Sequence, residues 1–309
     1  TFLSYGYGLV IPPLIEYHDS LLSNASEDLD LQTFKLIDQE TGRQLGLRAD
    51  ITSQISRIYT TYSSPGEINR YCYFDHVVRA NSRQSKGSRI PIQAGAELIG
   101  NLEIKNDAEI VNLMLDTVKI FSKKKIYLDL GHVGIFKKLT NLAGLNKENV
   151  KTIKEIIKNK SSSEIKNYMN SLDVDTNLRD CICDFPKMHG PIENILLNSN
   201  NLIAFNKEIE NDIKYMMKLC SLINANHSDV EIKYDFCELQ GFDYENGILL
   251  STYIENDSHE VAIGGNYNFQ PEEISGIGFS VDVRYLLKNQ NNFNISNISG
   301  KWVIEENHE

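Results

Sequence analysis

Apolar and polar positions recur along this chain with two periods, the two-residue period of strands and the three-to-four-residue period of helices. Residues 34–37 and 45–48 are short apolar runs joined by the polar linker 38–44, in which Gly42 is free to take a positive φ. The arrangement predicts a hairpin. Asp50 precedes Ile51, Ile55 and Ile58, spaced four and three apart, so it is expected to N-cap an amphipathic helix fed directly by the hairpin. Residues 71–78 and 90–99 read as two strands around the basic, turn-rich stretch 81–88. From Asp107 onward Ile110, Val111, Met114, Leu115, Val118 and Phe121 recur at helical spacing, and 126–130 follow as a strand.

Between 131 and 229 the chain turns to Lys- and Asn-rich helical segments, such as 147–158 and 203–223, broken at 161–163 and 184–191. Strand patterns return at 232–236, 248–254 and 260–263, and a final apolar helix is expected over 282–287. The reading is an α+β core formed by 1–130 and 230–309, carrying a helical insertion over 131–229. The tail 289–309 is polar and Asn-rich.

At 309 residues with 41% apolar and 24% charged side chains, the chain has the composition of a globular protein with a sizeable core. Lys+Arg 31 against Asp+Glu 42 gives a net charge of −11, which repels a phosphate backbone and disfavours nucleic acid as a partner. No apolar run approaches the roughly 18 residues of a spanning helix, so a cytoplasmic protein without membrane contact is expected. Cys72, Cys181, Cys183, Cys220 and Cys237 are odd in number and scattered, which suits a reducing compartment.

Cys181, Cys183 and His189 lack a second ligand pair at a usable distance, so no metal is expected. The glycines at 131–134 and 264–265 lack the spacing of a phosphate loop and are expected in turns, and no nucleophile elbow is present. The remaining chemistry lies in strand-like 90–99. Gln93 and Glu97 are four apart and therefore face one side of a strand, while Ala94, Gly95 and Ala96 leave room for a ligand over the sheet. An internal polar network or a sheet edge would give the same spacing.

The blocks 45–52, 70–100 with Val78-Arg79 and Gln93-Ala-Gly-Ala-Glu97, 240–244, Gly264-Gly265-Asn266-Tyr267 and 278–284 resemble, in order, those of histidyl-tRNA synthetase. More specifically, 31–36, 47–52, 129–136 and 278–284 resemble the regulatory subunits of ATP phosphoribosyltransferase, synthetase paralogues without aminoacylation activity. The resemblance implies a class II aminoacyl-tRNA synthetase-like core, a mainly antiparallel sheet flanked by helices, that dimerises near residues 7–13. It implies no catalytic residue and no cofactor in this chain. The expected role is to activate a short catalytic ATP phosphoribosyltransferase subunit in histidine biosynthesis and confer feedback inhibition by histidine, as a hetero-octamer with four of each subunit. The stretch 130–136 is a candidate contact with that partner.

The resemblance places Asp50, Thr52, Gln93 and Glu97 around the α-amino group of histidine, and Tyr244, Glu245 and Tyr267 around its imidazole. Arg79 and Arg284 would be remnants of an ATP site. That site is altered at Gln240, where synthetases carry an arginine, at Asn81, where they carry an acid, and at Asp282; Asn266 replaces an arginine of the Gly-Gly-Arg-Tyr-Asp block. Arg284 stands 25 positions before Glu309, too few for the roughly hundred residues of an anticodon-binding domain, so none is expected. The alternative is a divergent synthetase-like ligase that activates histidine with ATP.

Overall fold

The computed structural model describes residues 1–22, 27–81, 88–239, 245–269 and 274–288; at 27, 28, 245 and 246 only the backbone is described. Its strands in chain order are β1 (Gly8–Leu9), β2 (Ile15–Tyr17), β3 (Phe34–Ile37), β4 (Gln44–Leu47), β5 (Asn69–His76), β6 (Ile92–Gly100), β7 (Ile126–His132), β8 (His189–Pro191), β9 (Glu231–Asp235), β10 (Glu245–Ile254), β11 (Ala262–Phe269) and β12 (Ile274–Asp282). Nine of them form one sheet in the order β1-β5-β6-β12-β11-β10-β7-β9-β8, and β2-β4-β3 form a small second sheet. The pairs β1–β5 and β7–β9 are parallel and the others antiparallel.

Side-chain alternation gives the central strands two different faces. On one, Ala94, Ala96, Leu98, Ile277, Phe279 and Val281 are buried in a core that also takes in the inner side of helix Ile104–Phe121. Ile110, Val111, Leu113, Met114, Leu115 and Val118 of that helix are fully buried, each contributing about 1.5 to 3 kcal/mol. Glu103 and Asn106 close its first turn as a reciprocal capping box. On the other face Tyr73, Ile99, Tyr267 and Phe269 pack with Ile51, Ile55 and Tyr59 around helix Thr52–Tyr62.

The hairpin at 34–47 forms with Gly42 at φ +68°. Other expectations are corrected. Asp50 does not cap the helix, because its carboxylate accepts from the adjacent Ile51 N–H while Ile51 occupies the cap position. The 203–223 helix is two helices, Asn200–Phe205 and Lys207–Asn224, since the Asn206 side chain accepts from Glu208 N–H and starts the second. Gly131 lies inside β7, Gly134 lies in helix Val133–Leu142, and Gly264 and Gly265 lie inside β11, so none of these is in a turn. A Cβ at Gly264 would stand 2.3 Å from Gly278 O, and one at Gly265 would stand 2.6 Å from Ile248 O. β12 went unpredicted, because Gly276, Gly278 and Ser280 alternate with Ile277, Phe279 and Val281 and dilute the apolar signal.

The neighbours β7 and β9 run parallel and so need a crossover. Helices from Val133 onward supply it, and β8 returns to pair on β9. Helix Lys207–Asn224 closes this layer against helix Ile104–Phe121. Among the described residues no helix is long and apolar enough to cross a membrane.

Candidate functional site

Glu97 is buried at 1% exposure in the middle of the sheet. The next turn of chain after β4 brings Thr52, the first residue of its helix, over β6, where Thr52 Oγ1 donates to Glu97 Oε1 at 2.8 Å. Tyr267 OH donates to Oε2 at 2.8 Å, and Tyr73 OH reaches Oε1 at 3.4 Å. Burial, opposed by these hydroxyls and reinforced by the Asp50 charge, pushes the Glu97 carboxyl up to about 8. The Tyr73 phenol is raised well above its ordinary value by its own burial and by Glu97.

Three glycines make this cluster fit. A Cβ at Gly278 would lie 1.7 Å from Glu97 Oε2, one at Gly95 2.4 Å from the Tyr73 ring, and one at Gly276 2.5 Å from the Tyr267 ring. The room expected for a ligand at Gly95 is therefore taken by Tyr73. Tyr73 was missed from sequence, although a tyrosine and a glycine in one hairpin register, Tyr73 opposite Gly95, are its signature.

Gln93 shares the face of Glu97 but lies about 13 Å back along β6 by strand rise. It is 4% exposed; its Nε2 is 3.4 Å from Ser280 Oγ, and its Oε1 accepts no hydrogen bond among the described residues. The structure thus joins Glu97 to Thr52 and Tyr267, and leaves Gln93 at the other end. Asp50 lies within electrostatic reach of both Glu97 and Tyr73. Tyr244 and Gln240 lie outside the described residues. Glu245, whose side chain is likewise outside them, pairs by its backbone with Tyr267.

Arg79 and Arg284 both follow the same end of the central strands, where β5, β6 and β12 bring Asp75, Gln93 and Asp282 into one cross-strand row. Arg79 Nε donates to Ala49 O at 3.3 Å, and Arg284 and Asn81 are exposed. The fully buried Arg48 spends its charge on Asp75 at 2.7 Å and donates to Pro12 O and His76 O. Asn266 does not enter the Glu97 cluster. It projects from the opposite face of β11 to Tyr267 and donates to Asp107 Oδ1 at 3.2 Å.

The stretch 130–136 is buried throughout, which removes it as a contact surface. His132 is held neutral, burial pushing it down to about 4, with Nδ1 unpartnered among the described residues and Nε2 4.0 Å from Asp212. Cys181 and Cys183 point about 200° apart on helix Thr176–Asp184, so they do not converge on an ion.

The histidyl-tRNA synthetase family profile matches residues 1–286. The ATP phosphoribosyltransferase regulatory subunit of Teredinibacter turnerae is 33% identical over 296 residues, covering 94% of this chain and 75% of that protein. The crystal structure of an ATP phosphoribosyltransferase regulatory subunit/histidyl-tRNA synthetase from Bacillus halodurans shares the fold at a TM-score of 0.81 and 23% identity, over 94% of this chain and 76% of that one. A chain of the ATP phosphoribosyl transferase (HisG:HisZ) complex from Thermotoga maritima shares it at a TM-score of 0.68 and 18% identity, over 91% and 94% respectively. With its class II synthetase-like sheet and with relatives of this kind across nearly its whole length, the chain belongs to the histidyl-tRNA synthetase family and, within it, to the ATP phosphoribosyltransferase regulatory subunits.

Proposed function

We propose that this chain is non-catalytic and binds histidine on the sheet face beneath helix Thr52–Tyr62, passing that signal to a catalytic ATP phosphoribosyltransferase partner. The observation that carries the reading is the pairing, on one face of β6, of a buried carboxylate with a buried amide oxygen that accepts no hydrogen bond among the described residues. Buried polar groups need partners, and an amino acid supplies donors at both ends of its length. Their separation lets them meet opposite ends of one ligand, which must pass beside Tyr73 because that ring fills the space over Gly95. Gln93 Oε1 and Asp50 take the α-ammonium, while Glu97, Thr52 and Tyr267, with Tyr244 and Glu245 from the adjoining segment, take the imidazole N–H groups. In this reading Glu97 and Thr52 serve the ring end together with Tyr267, to which Glu97 is bonded, whereas the resemblance implied the amino end for both.

The absence of catalysis is supported by the row Asp75–Gln93–Asp282. A triphosphate laid along it would meet two carboxylates, with Arg48 already committed to Asp75. Losing one group that stabilises transition-state charge lowers rate by roughly a hundred- to a thousandfold, and Gln240 replaces such a group.

The partner is a short catalytic subunit, in line with the two-protein complex from Thermotoga maritima, and the assembly has four of each chain under closed symmetry. The self-contact is the N-terminal region expected near residues 7–13, taken here as 9–15 because Tyr7 is buried and the exposed apolar residues run on to Ile15. Leu9, Ile11, Leu14 and Ile15 are exposed there on a backbone pinned by Arg48 at Pro12 O and by Gln54 at Pro13 O. The chain divides into a core of 1–130 with 230–309 and an insertion of 131–229, which supplies the β7–β9 crossover. Histidine-dependent exchange of pyrophosphate into ATP tests the non-catalytic claim: no turnover above a no-protein control is expected, and clear turnover restores the ligase alternative.

A further inference from the structure

Behind the pocket, on the far face of the sheet, a second polar cluster connects the crossover layer to the strands that carry Tyr267. Tyr215, on helix Lys207–Asn224, donates to Asp107 Oδ2. Asp107 is 3% exposed on helix Ile104–Phe121, and its Oδ1 accepts from Asn266 Nδ2 at 3.2 Å. Asn266 Oδ1 in turn accepts from the backbone N–H of Ile248 at 3.0 Å. That N–H sits where the β10–β11 register slips, between the pairs Glu245–Tyr267 and Leu249–Gly265. The approach depends on Gly247, where a Cβ would lie 2.5 Å from Asn266 Oδ1.

A slip leaves a ladder donor without its regular acceptor, and here a side chain supplies the acceptor. Asn266 therefore fixes which residue of β10 stands opposite Tyr267, its own neighbour on β11. Polar groups in an apolar layer contribute little net stability, and their best-attested use is to fix register.

We infer that Tyr215, Asp107 and Asn266 form a positioning relay through which helix Lys207–Asn224 sets the geometry of the imidazole end of the pocket at Tyr267. None of the three touches the ligand. The inference rests on the histidine reading for its consequence, but not for the mechanical link. Docking of a partner that shifts this helix then changes histidine affinity, and histidine must shift the helix with equal coupling.

The test uses the full chain with two readouts, amide hydrogen exchange at Ile248 and calorimetric titration with L-histidine. Asn266→Asp sets two carboxylates against each other and is expected to speed exchange at Ile248 and weaken histidine binding about 2- to 30-fold. Adding Asp107→Asn exchanges acid and amide, rebuilds every donor–acceptor pair, and should restore both readouts to within about twofold, which shows that the two side chains act as one pair, while recovery of histidine affinity along with exchange ties that pair to the pocket. Tyr215→Phe removes one donor without loading a charge, and should shift both readouts in the same direction as Asn266→Asp. Unchanged exchange in both single variants, or no recovery in the exchanged pair, overturns the relay. If the wild type shows no binding heat while exchange responds and is rescued, the histidine reading fails and the mechanical link stands.

Discussion

Gly278 and Glu97 face each other across β12 and β6, and a Cβ on Gly278 would lie 1.7 Å from Glu97 Oε2, so the carboxylate occupies the space where the opposite residue would have a side chain. Gly278→Ala is therefore expected to push Glu97 off Thr52 and Tyr267. Overpacking of this kind costs about 1 to 3 kcal/mol, and histidine binding should be lost with it. Urea unfolding and a histidine titration on the same sample check this; wild-type values for both would refute it.

Stability of the unliganded protein should carry the signature of Glu97. Its carboxyl is raised from 4.5 to about 8 in the fold, so as pH rises the unfolded chain ionises first. The group's contribution is fully present below 4.5 and is lost as pH climbs through the window to about 8. Unfolding free energies of Glu97→Gln should fall less than those of the wild type across that window. Parallel curves would contradict it.

His132 works in the opposite sense. Burial holds it near 4 against an ordinary 6.5, so falling pH protonates the unfolded chain first. Its contribution is complete above 6.5 and drains away between 6.5 and about 4. Denaturation of His132→Leu should be less acid-sensitive than that of the wild type, and equal acid sensitivity would show that His132 does not titrate as its burial demands.

Arg48 is fully buried and joins β4, β5 and the 9–15 segment. Arg48→Met strands Asp75 and two carbonyls. Removing one partner of a buried pair typically costs about 3 to 5 kcal/mol, and the lower end is expected because Asp75 keeps a third of its side chain in water. If that segment is the self-contact, sedimentation of the variant should also show more monomer.

Sequence periodicity located the elements whose large apolar residues recur over a long stretch, and it missed short β2 at Ile15–Tyr17 and the second half of β11. The helix carrying Ile110, Met114 and Val118 and the strand carrying Ile126 and Leu128 could be read directly. It failed where glycines make room for a neighbour, since β12 and the middle of β11 carry small residues to admit Glu97, Tyr267 and strand backbones. Within the site, the shared face of Gln93 and Glu97 was legible from spacing. Tyr73 was not, because its role depends on a partner in another strand. Asn266 misled for a related reason, since one step along a strand reverses the face and puts it behind the pocket.

If the site built on Glu97 senses histidine on behalf of a catalytic partner, damage to it should blunt inhibition and spare activation. The most direct measurement is ATP phosphoribosyltransferase activity of the short catalytic subunit, with and without this chain, over a range of histidine, comparing the wild type with Glu97→Ala and Glu245→Gln. Both variants are expected to activate the partner as the wild type does, and to need at least about tenfold more histidine for inhibition. Unaltered inhibition curves, or activation lost in step with inhibition in variants that remain folded, would contradict the account.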